Sequence, residues 1–241
     1  MRPARLLPSA LLLLMLALCP AARAAAPTPP QIVVIVDQTP IIIEAPKPFV
    51  DVSRILPDLF AQRSNAIATG GNRLLAWLIP VLSVKEHLDT KVNEKAPRCR
   101  TLQVQVIKDM ELPRFDTKSF KAIRDENKAA YREINEDTVE TLLGVLDLRQ
   151  LTQKSGAQNI LGAADLGPDS ITLCIAMGTE GSDQFGGREV ETAVTCATYM
   201  LLKGKIIYLS VSGPELSVKE LRNAMRLTRE WIVLLRDRNP N

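Results

Sequence analysis

The stretch Ser170–Ser212, SITLCIAMGTEGSDQFGGREVETAVTCATYMLLKGKIIYLSVS, decides how the rest of the chain must be arranged. Gly186-Gly187 and Lys203-Gly204 divide it into three runs rich in β-branched and apolar residues, which predicts a three-stranded antiparallel meander. With the first turn centred near Phe185, Cys174 stands opposite Cys196. Strand side chains alternate between faces. One face therefore carries Ile171, Leu173, Ile175 and Met177 with Tyr199, Ala197 and Ala193. The other carries the smaller Thr172, Cys174 and Ala176 with Thr198, Cys196 and Val194. The Lys203-Gly204 turn sets Tyr199 against Tyr208 and Leu201 against Ile206, both plausible cross-strand pairs.

A long helix follows. Ser217-Val218-Lys219-Glu220 has the form of a capping box, in which the Ser hydroxyl accepts from a backbone N–H and the Glu reaches back. Leu221, Ala224, Met225, Thr228, Trp231, Ile232 and Leu235 recur at helical spacing. That stripe needs an apolar surface, and the face of the meander with the larger side chains is expected to supply it. Asn239-Pro240 ends the helix near Asp237.

Upstream, Arg100–Lys108 alternates, with Leu102, Val104 and Val106 on one face and Gln103 and Gln105 on the other. It is expected to pair with the continuous apolar run LLAWLIPVL of Leu74–Leu82. The charged segment Ser83–Arg98 reads as a hairpin tip or loop. Asp116 can cap a helix from Thr117, with Phe120, Ile123, Asn127, Tyr131 and Ile134 on one stripe and a further helical pattern from Val139 to Leu146. Asp51–Ser64 reads as a short helix, and Ser155–Pro168, with three glycines, as a loop. Ile32–Val36 and Ile41–Ile43 are strand-like runs that Pro40 keeps from forming one central strand. These elements predict an α+β domain, a mostly antiparallel sheet with a C-terminal meander, covered by helices.

The first residues read as an address. Arg2 and Arg5 precede the apolar run Ala10–Leu18, and Ala22-Arg23-Ala24 is a small-residue cleavage pattern. Residues 1–24 are thus expected to be a cleaved signal peptide. Residues 25–40 are expected to be a Pro-rich linker with a short extended segment, and 41–241 a single domain. The apolar run is too short to span a bilayer, so no transmembrane span is expected after cleavage. Cys19, between Leu18 and Pro20, is read as discarded with the leader rather than lipidated. The full chain has 30 basic and 27 acidic residues. Loss of Arg2, Arg5 and Arg23 leaves 27 against 27, which removes any argument for nucleic acid as a partner.

Three cysteines remain. Facing positions of an antiparallel pair lie within disulfide range, so Cys174 and Cys196 form either a cross-strand bridge or two buried thiols. Cys99 lies between Arg98 and Arg100, which could lower its pKa, but a passive Cys at a strand start is the preferred reading. His87 is the only histidine and is read as a solvated loop residue, so no metal site is expected. Neither a G-x-S-x-G nor an S-x-x-K pattern is present, and no catalytic residue or cofactor site is assigned. The Gly-rich segment Gly178–Gly187 leads into a strand rather than a helix, which argues against a phosphate loop. Phe185 at its centre is instead a candidate partner contact. Glu133, Glu136, Asp137 and Glu140 read as the solvated face of a helix.

The order of elements, a three-strand meander followed by a long C-terminal helix, resembles the PsbP-like sandwich over residues 41–238. The resemblance implies an accessory or assembly protein that binds other proteins. Together these features suggest an exported, periplasmic or secreted envelope protein that acts through contacts with another envelope protein. An enzyme, or a carrier of a small apolar ligand, with a site assembled from scattered residues is the alternative.

Overall fold

The strands of the meander pair in the expected register. In the computed structural model, which describes residues 31–89, 99–152, 156–182 and 188–240, Cys174 faces Cys196, Tyr199 faces Tyr208 and Leu201 faces Ile206. The leader with Cys19, and the tip residue Phe185, lie outside the described residues. In chain order the elements are β1 (Gln31–Val36), β2 (Thr39–Glu44), β3 (Phe49–Asp51), α1 (Val52–Ile55), α2 (Pro57–Ala68), β4 (Asn72–Pro80), α3 (Val81–Asp89) and β5 (Thr101–Ile107). They continue as α4 (Thr117–Ala130), α5 (Val139–Gly144), α6 (Leu148–Thr152), β6 (Gln158–Ala164), β7 (Ser170–Ser182), β8 (Arg188–Leu202), β9 (Lys205–Gly213) and α7 (Val218–Arg238).

Seven strands form one sheet in the order β3-β4-β5-β9-β8-β7-β6, with every neighbouring pair antiparallel, and β1 and β2 form a separate hairpin. The sheet is packed against helices, which makes the domain α+β. The pairing of β5 with β9 joins the two halves of the sheet. It places Leu102 and Val104 beside Val211 and Leu209 on one face, and Gln103 and Gln105 beside Ser210 and Tyr208 on the other.

Helix α7 covers the opposite face of the meander from the one expected. Its buried Trp231, Ile232 and Leu235 share a core with Cys174, Ala176, Val194, Cys196, Leu209 and Val211, on the face with the smaller side chains. Small side chains on β7 and β8 leave room for a helix carrying a tryptophan to approach the sheet closely, whereas the Ile171 face would hold it off. Thr172 and Thr198, buried on the same face, satisfy each other through hydroxyls 2.8 Å apart. The bulkier face is filled instead from α4 and the residues after it: Phe120 packs on Leu201 and Ile206, and Tyr131 on Ile171 and Leu173. Ser217 caps α7 by accepting from the Glu220 N–H at 3.1 Å. The Glu220 carboxylate does not close the box; it takes Arg100 Nη2 at 2.6 Å.

Two expected loops are ordered elements. Val81–Asp89 is helical, so His87 lies in α3 rather than in a loop. Gln158–Ala164, within the expected loop 155–168, is strand β6, paired with β7. The segment after α4 then runs beside β6: Ala163 N–H donates to Arg132 O at 2.8 Å and Ile134 N–H to Ala163 O at 3.0 Å. This covers the outer edge of the sheet, which would otherwise offer unpaired backbone groups. The approach is so close that a Cβ on Gly162 would lie 2.7 Å from Arg132 O. Gly162→Ala is therefore expected to lower the unfolding free energy by about 1–3 kcal/mol, measured by urea denaturation, because backbone must move to admit one methyl.

The hairpin β1–β2 spans the expected boundary between residues 40 and 41. Val36 is fully buried in the same core as Ile41, Ile43 and Trp231, so residues 31–40 pack as part of the domain.

Candidate interaction surface

The hairpin β1–β2 is anchored to the rest of the domain at its turn and along the outer edge of β2. Its turn, Asp37-Gln38, has φ of 42° and 63°. Two successive left-handed residues make the type I′ geometry that matches the twist of a two-residue hairpin. The Asp37 carboxylate accepts from Lys205 Nζ at 2.7 Å. That ammonium, 0% exposed, also donates to the carbonyls of Glu111 at 2.8 Å, Leu112 at 3.0 Å and Pro113 at 3.3 Å. One buried cation thus ties the hairpin turn, the start of β9 and the segment before α4 together. A buried charge is tolerated because it is paired and fully hydrogen-bonded.

The outer edge of β2 is held by α7. Ile42 N–H donates to Asn239 Oδ1 and Asn239 Nδ2 donates to Ile42 O, both at 2.8 Å, so one side-chain amide imitates a neighbouring strand. Trp231 Nε1 donates to Glu44 O at 2.9 Å, and Arg238 pairs with the Glu44 carboxylate.

With Ile32, Val34, Val36, Ile41 and Ile43 turned inward, the facing pairs Val33–Ile42 and Ile35–Pro40 point outward. Val33 and Ile35 are 60% and 54% exposed, and Pro40 is also exposed. The result is an apolar outward face on a rigid base. Between β1 and the β3–α1 corner lies an apolar depression of about 130 Å³, lined by Ile32, Ala45, Val50, Asp51, Arg54 and Ile55. Val33, Ile35 and Pro40 fall in the segment, residues 25–40, that the sequence marks as a linker with a short extended stretch. The signal was present in the run QIVVIV-DQ-TPIIIE, two β-branched stretches two residues apart.

The residues singled out from the sequence do not converge. Cys174 and Cys196 are reduced, fully buried thiols whose sulfurs lie 3.7 Å apart beneath α7. Their mutual hydrogen bond and burial hold the Cys174 thiol well above its ordinary range. Cys99 packs beside Val52, Leu74, Trp77 and Ile79. Burial pushes its thiol up, the Ser83 hydroxyl partly opposes this, and the charge of Glu86 adds to it. The net shift is opposite to the lowering that flanking arginines would cause. The acidic run does not share one helix: Glu133–Asp137 lies between α4 and α5, with Glu133 bridged to Ala163. Glu136 and Glu140 approach Arg229 and Arg222 of α7 at 3.8 and 3.9 Å, as exposed ion pairs.

A second polar feature was not legible. Gln103 and Gln105, read as the polar side of a strand, are only 5% and 6% exposed. Asn72 Nδ2 donates to Gln105 Oε1 at 2.8 Å and Gln105 Nε2 to Gln103 Oε1 at 2.9 Å. Alongside, Tyr199 and Tyr208 meet edge to face with ring centres 5.5 Å apart. Burial, and secondarily the charge of Tyr199, pushes the Tyr208 phenol up to about 12. The neutral phenol is the favoured form in the fold. Its contribution is whole below the ordinary tyrosine range and fades as pH rises towards about 12. Burial raises the Tyr199 phenol as well, and alkaline titration followed by tyrosinate absorbance should show a latest phenol that the Tyr208→Phe variant lacks.

Among the described residues no three His, Cys, Asp or Glu side chains gather, and no helix is long and apolar enough to cross a membrane. The fold and this surface define an α+β domain with an anchored apolar hairpin. No protein family and no curated protein matches the sequence. Among solved structures, the chain is similar to the Saccharomyces cerevisiae Ran-binding protein Mog1p, at 12% identity and a TM-score of 0.33 over 88% of this chain and 93% of that one. A mutant of protein Mog1 gives 13% identity and a TM-score of 0.32 over 87% and 93%. Likenesses this slight carry no argument about function.

Proposed function

We propose that this chain is a non-catalytic protein-interaction domain of the bacterial envelope, exported by its N-terminal segment and acting in assembly or as an accessory subunit. A PsbP-like affiliation belongs to the same proposal. The observation that supports it is the outward face of the hairpin, where Val33, Ile35 and Pro40 are held exposed on a base fixed by Lys205 and Asn239. Exposed apolar side chains gathered on one rigid element are the usual mark of a contact surface. Crosslinking and mass spectrometry of the chain in its native envelope tests the reading. The doubly substituted Pro40→Glu/Ile42→Glu chain should lose crosslinks to other envelope proteins that the parent makes. Unchanged crosslinks would overturn the assignment of this face, and recovery of the chain from the cytoplasm with its leader intact would overturn export.

Export carries a further expectation for the cysteines. The two-residue turn at Lys203-Gly204 makes Leu202–Lys205 a hydrogen-bonded pair, and alternation makes Cys196–Val211 another. Cys196 therefore directs its backbone groups to β9, and Cys174–Cys196 is a non-hydrogen-bonded pair, with Cα atoms about 4.5 Å apart. That spacing suits a bridge. In an oxidising compartment the two thiols are expected to pass two electrons and two protons to a disulfide-bearing oxidant and join. Non-reducing peptide mapping of the exported protein should find the linked peptides; two free thiols would sink this expectation.

The alternative, a ligand carrier, draws on an open depression of about 440 Å³ lined by Arg114, Phe115, Asp116, Thr117, Leu201, Lys203 and Gly204. Soaking with small apolar and anionic probes, followed by chemical-shift mapping, separates it from the contact reading.

A further inference from the structure

We propose that the free edge of β1 is a self-complementary docking strand, on which the β1 strand of a second copy of this chain adds antiparallel about a two-fold axis through Val33. The proposal rests on the reading of the hairpin as a contact surface and names its occupant.

The argument starts from where the backbone groups point. Ile42 spends both its N–H and its C=O on Asn239, on the side away from β1. The pair Val33–Ile42 is therefore non-hydrogen-bonded within the hairpin. By alternation the N–H and C=O of Gln31, Val33 and Ile35 point away from β2. Ile35 O is found there, accepting from Arg73 Nη2 at 2.9 Å. Among the described residues no strand pairs with this edge. Pro40 on β2 obeys the same rule: it lacks an N–H at a position where the hairpin needs none.

Edge strands are ordinarily guarded by charge, proline or a bulge. β1 reads Gln-Ile-Val-Val-Ile-Val and carries none of these, nor a shift in its register with β2. Such a sequence, on an edge whose outward groups are met among the described residues only by Arg73 at Ile35 O, is a template for pairing. A second β1 suits it. With the axis through Val33, Val33 faces its own copy, Gln31 faces Ile35 and Ile32 faces Val34. Every outward N–H then meets an outward C=O, and no charge opposes a like charge. Ile35 O has a second lone pair to give. The exposed Val33 side chains meet on one face of the resulting four-stranded sheet.

Sedimentation velocity of the full chain over a concentration series tests this. The parent is expected to show a reversible monomer–dimer equilibrium. Val33→Lys sets two ammonium groups opposite each other on the axis and should weaken the dimer at least about tenfold. Val33→Pro removes only an N–H that the hairpin does not use and should abolish the dimer. Both variants must keep the parent far-UV spectrum; Val33→Cys gives a readout that does not depend on stability. Its two thiols would lie about 5.5 Å apart by Cα, and it should form a disulfide-linked dimer under mild oxidation, which Ile42→Cys should not. A parent that stays monomeric at all concentrations, with no linked Val33→Cys dimer, overturns the proposal. If the Pro40→Glu/Ile42→Glu chain nevertheless loses its crosslinks to other envelope proteins, the contact reading survives that failure. Preserved self-association with unaffected crosslinks would show the reverse.

Discussion

Lys205→Met should lower the unfolding free energy by about 3 kcal/mol, or roughly 10 °C in Tm for a domain of this size. The expectation follows from what the ammonium holds. It is wholly buried, and its partners are the Asp37 carboxylate and three backbone carbonyls, of Glu111, Leu112 and Pro113. Methionine matches the stem but leaves the carbonyls without this donor, and an acceptor that water cannot reach costs on the order of 1 kcal/mol or more when unmet. Asp37 is better placed to recover, because its side chain is 32% exposed and can be hydrated. Asp37→Asn leaves the ammonium without its counter-charge and should cost a similar amount. The double variant should cost less than the two singles together, since the residues act as one unit. Urea denaturation of all four chains gives the cycle. A Lys205→Met chain as stable as the parent would mean that the hairpin turn is held by something else.

Trp231→Ala is the other large effect, expected at about 4 kcal/mol. Trp231 is fully buried at the meeting point of α7, the sheet and β2, and its indole N–H is bound to Glu44 O at 2.9 Å. Truncation opens a cavity that rigid neighbours can only partly close, and it leaves Glu44 O without its donor. Trp231→Phe keeps most of the volume and should cost about 1–2 kcal/mol, dominated by that hydrogen bond. If the two variants were equally damaging, packing would not be the larger share.

How much of this was legible depends on where the pattern came from. The meander was readable to the residue, because two turn signals fix two registers and leave Cys174 opposite Cys196. Helix α7 was readable from Ser217 and the stripe ending at Leu235. Which face of the meander the helix covers was not, since periodicity gives the two faces but not the depth of groove that Trp231 requires. β6 was missed because QNILGAA shows neither alternation nor β-branched enrichment. It is a strand through its partners, β7 on one side and the Arg132–Ile134 backbone on the other. α3 was hidden by its charge content, which reads equally as a loop. The hairpin β1–β2 was the costliest miss for function. Its two runs are plain in the sequence, but a proline reads as a strand breaker, whereas Pro40 sits at a position of β2 that needs no N–H.

The bond between Asn239 and Ile42 spans nearly the length of the described chain. Of these elements, β2 is made early by the ribosome and α7 last. Until α7 emerges, the small-residue face of the sheet has only α5 and α6 beside it, and β2 lacks its bonds to Asn239. A chain interrupted before Ser217 should therefore remain unfolded and sensitive to protease.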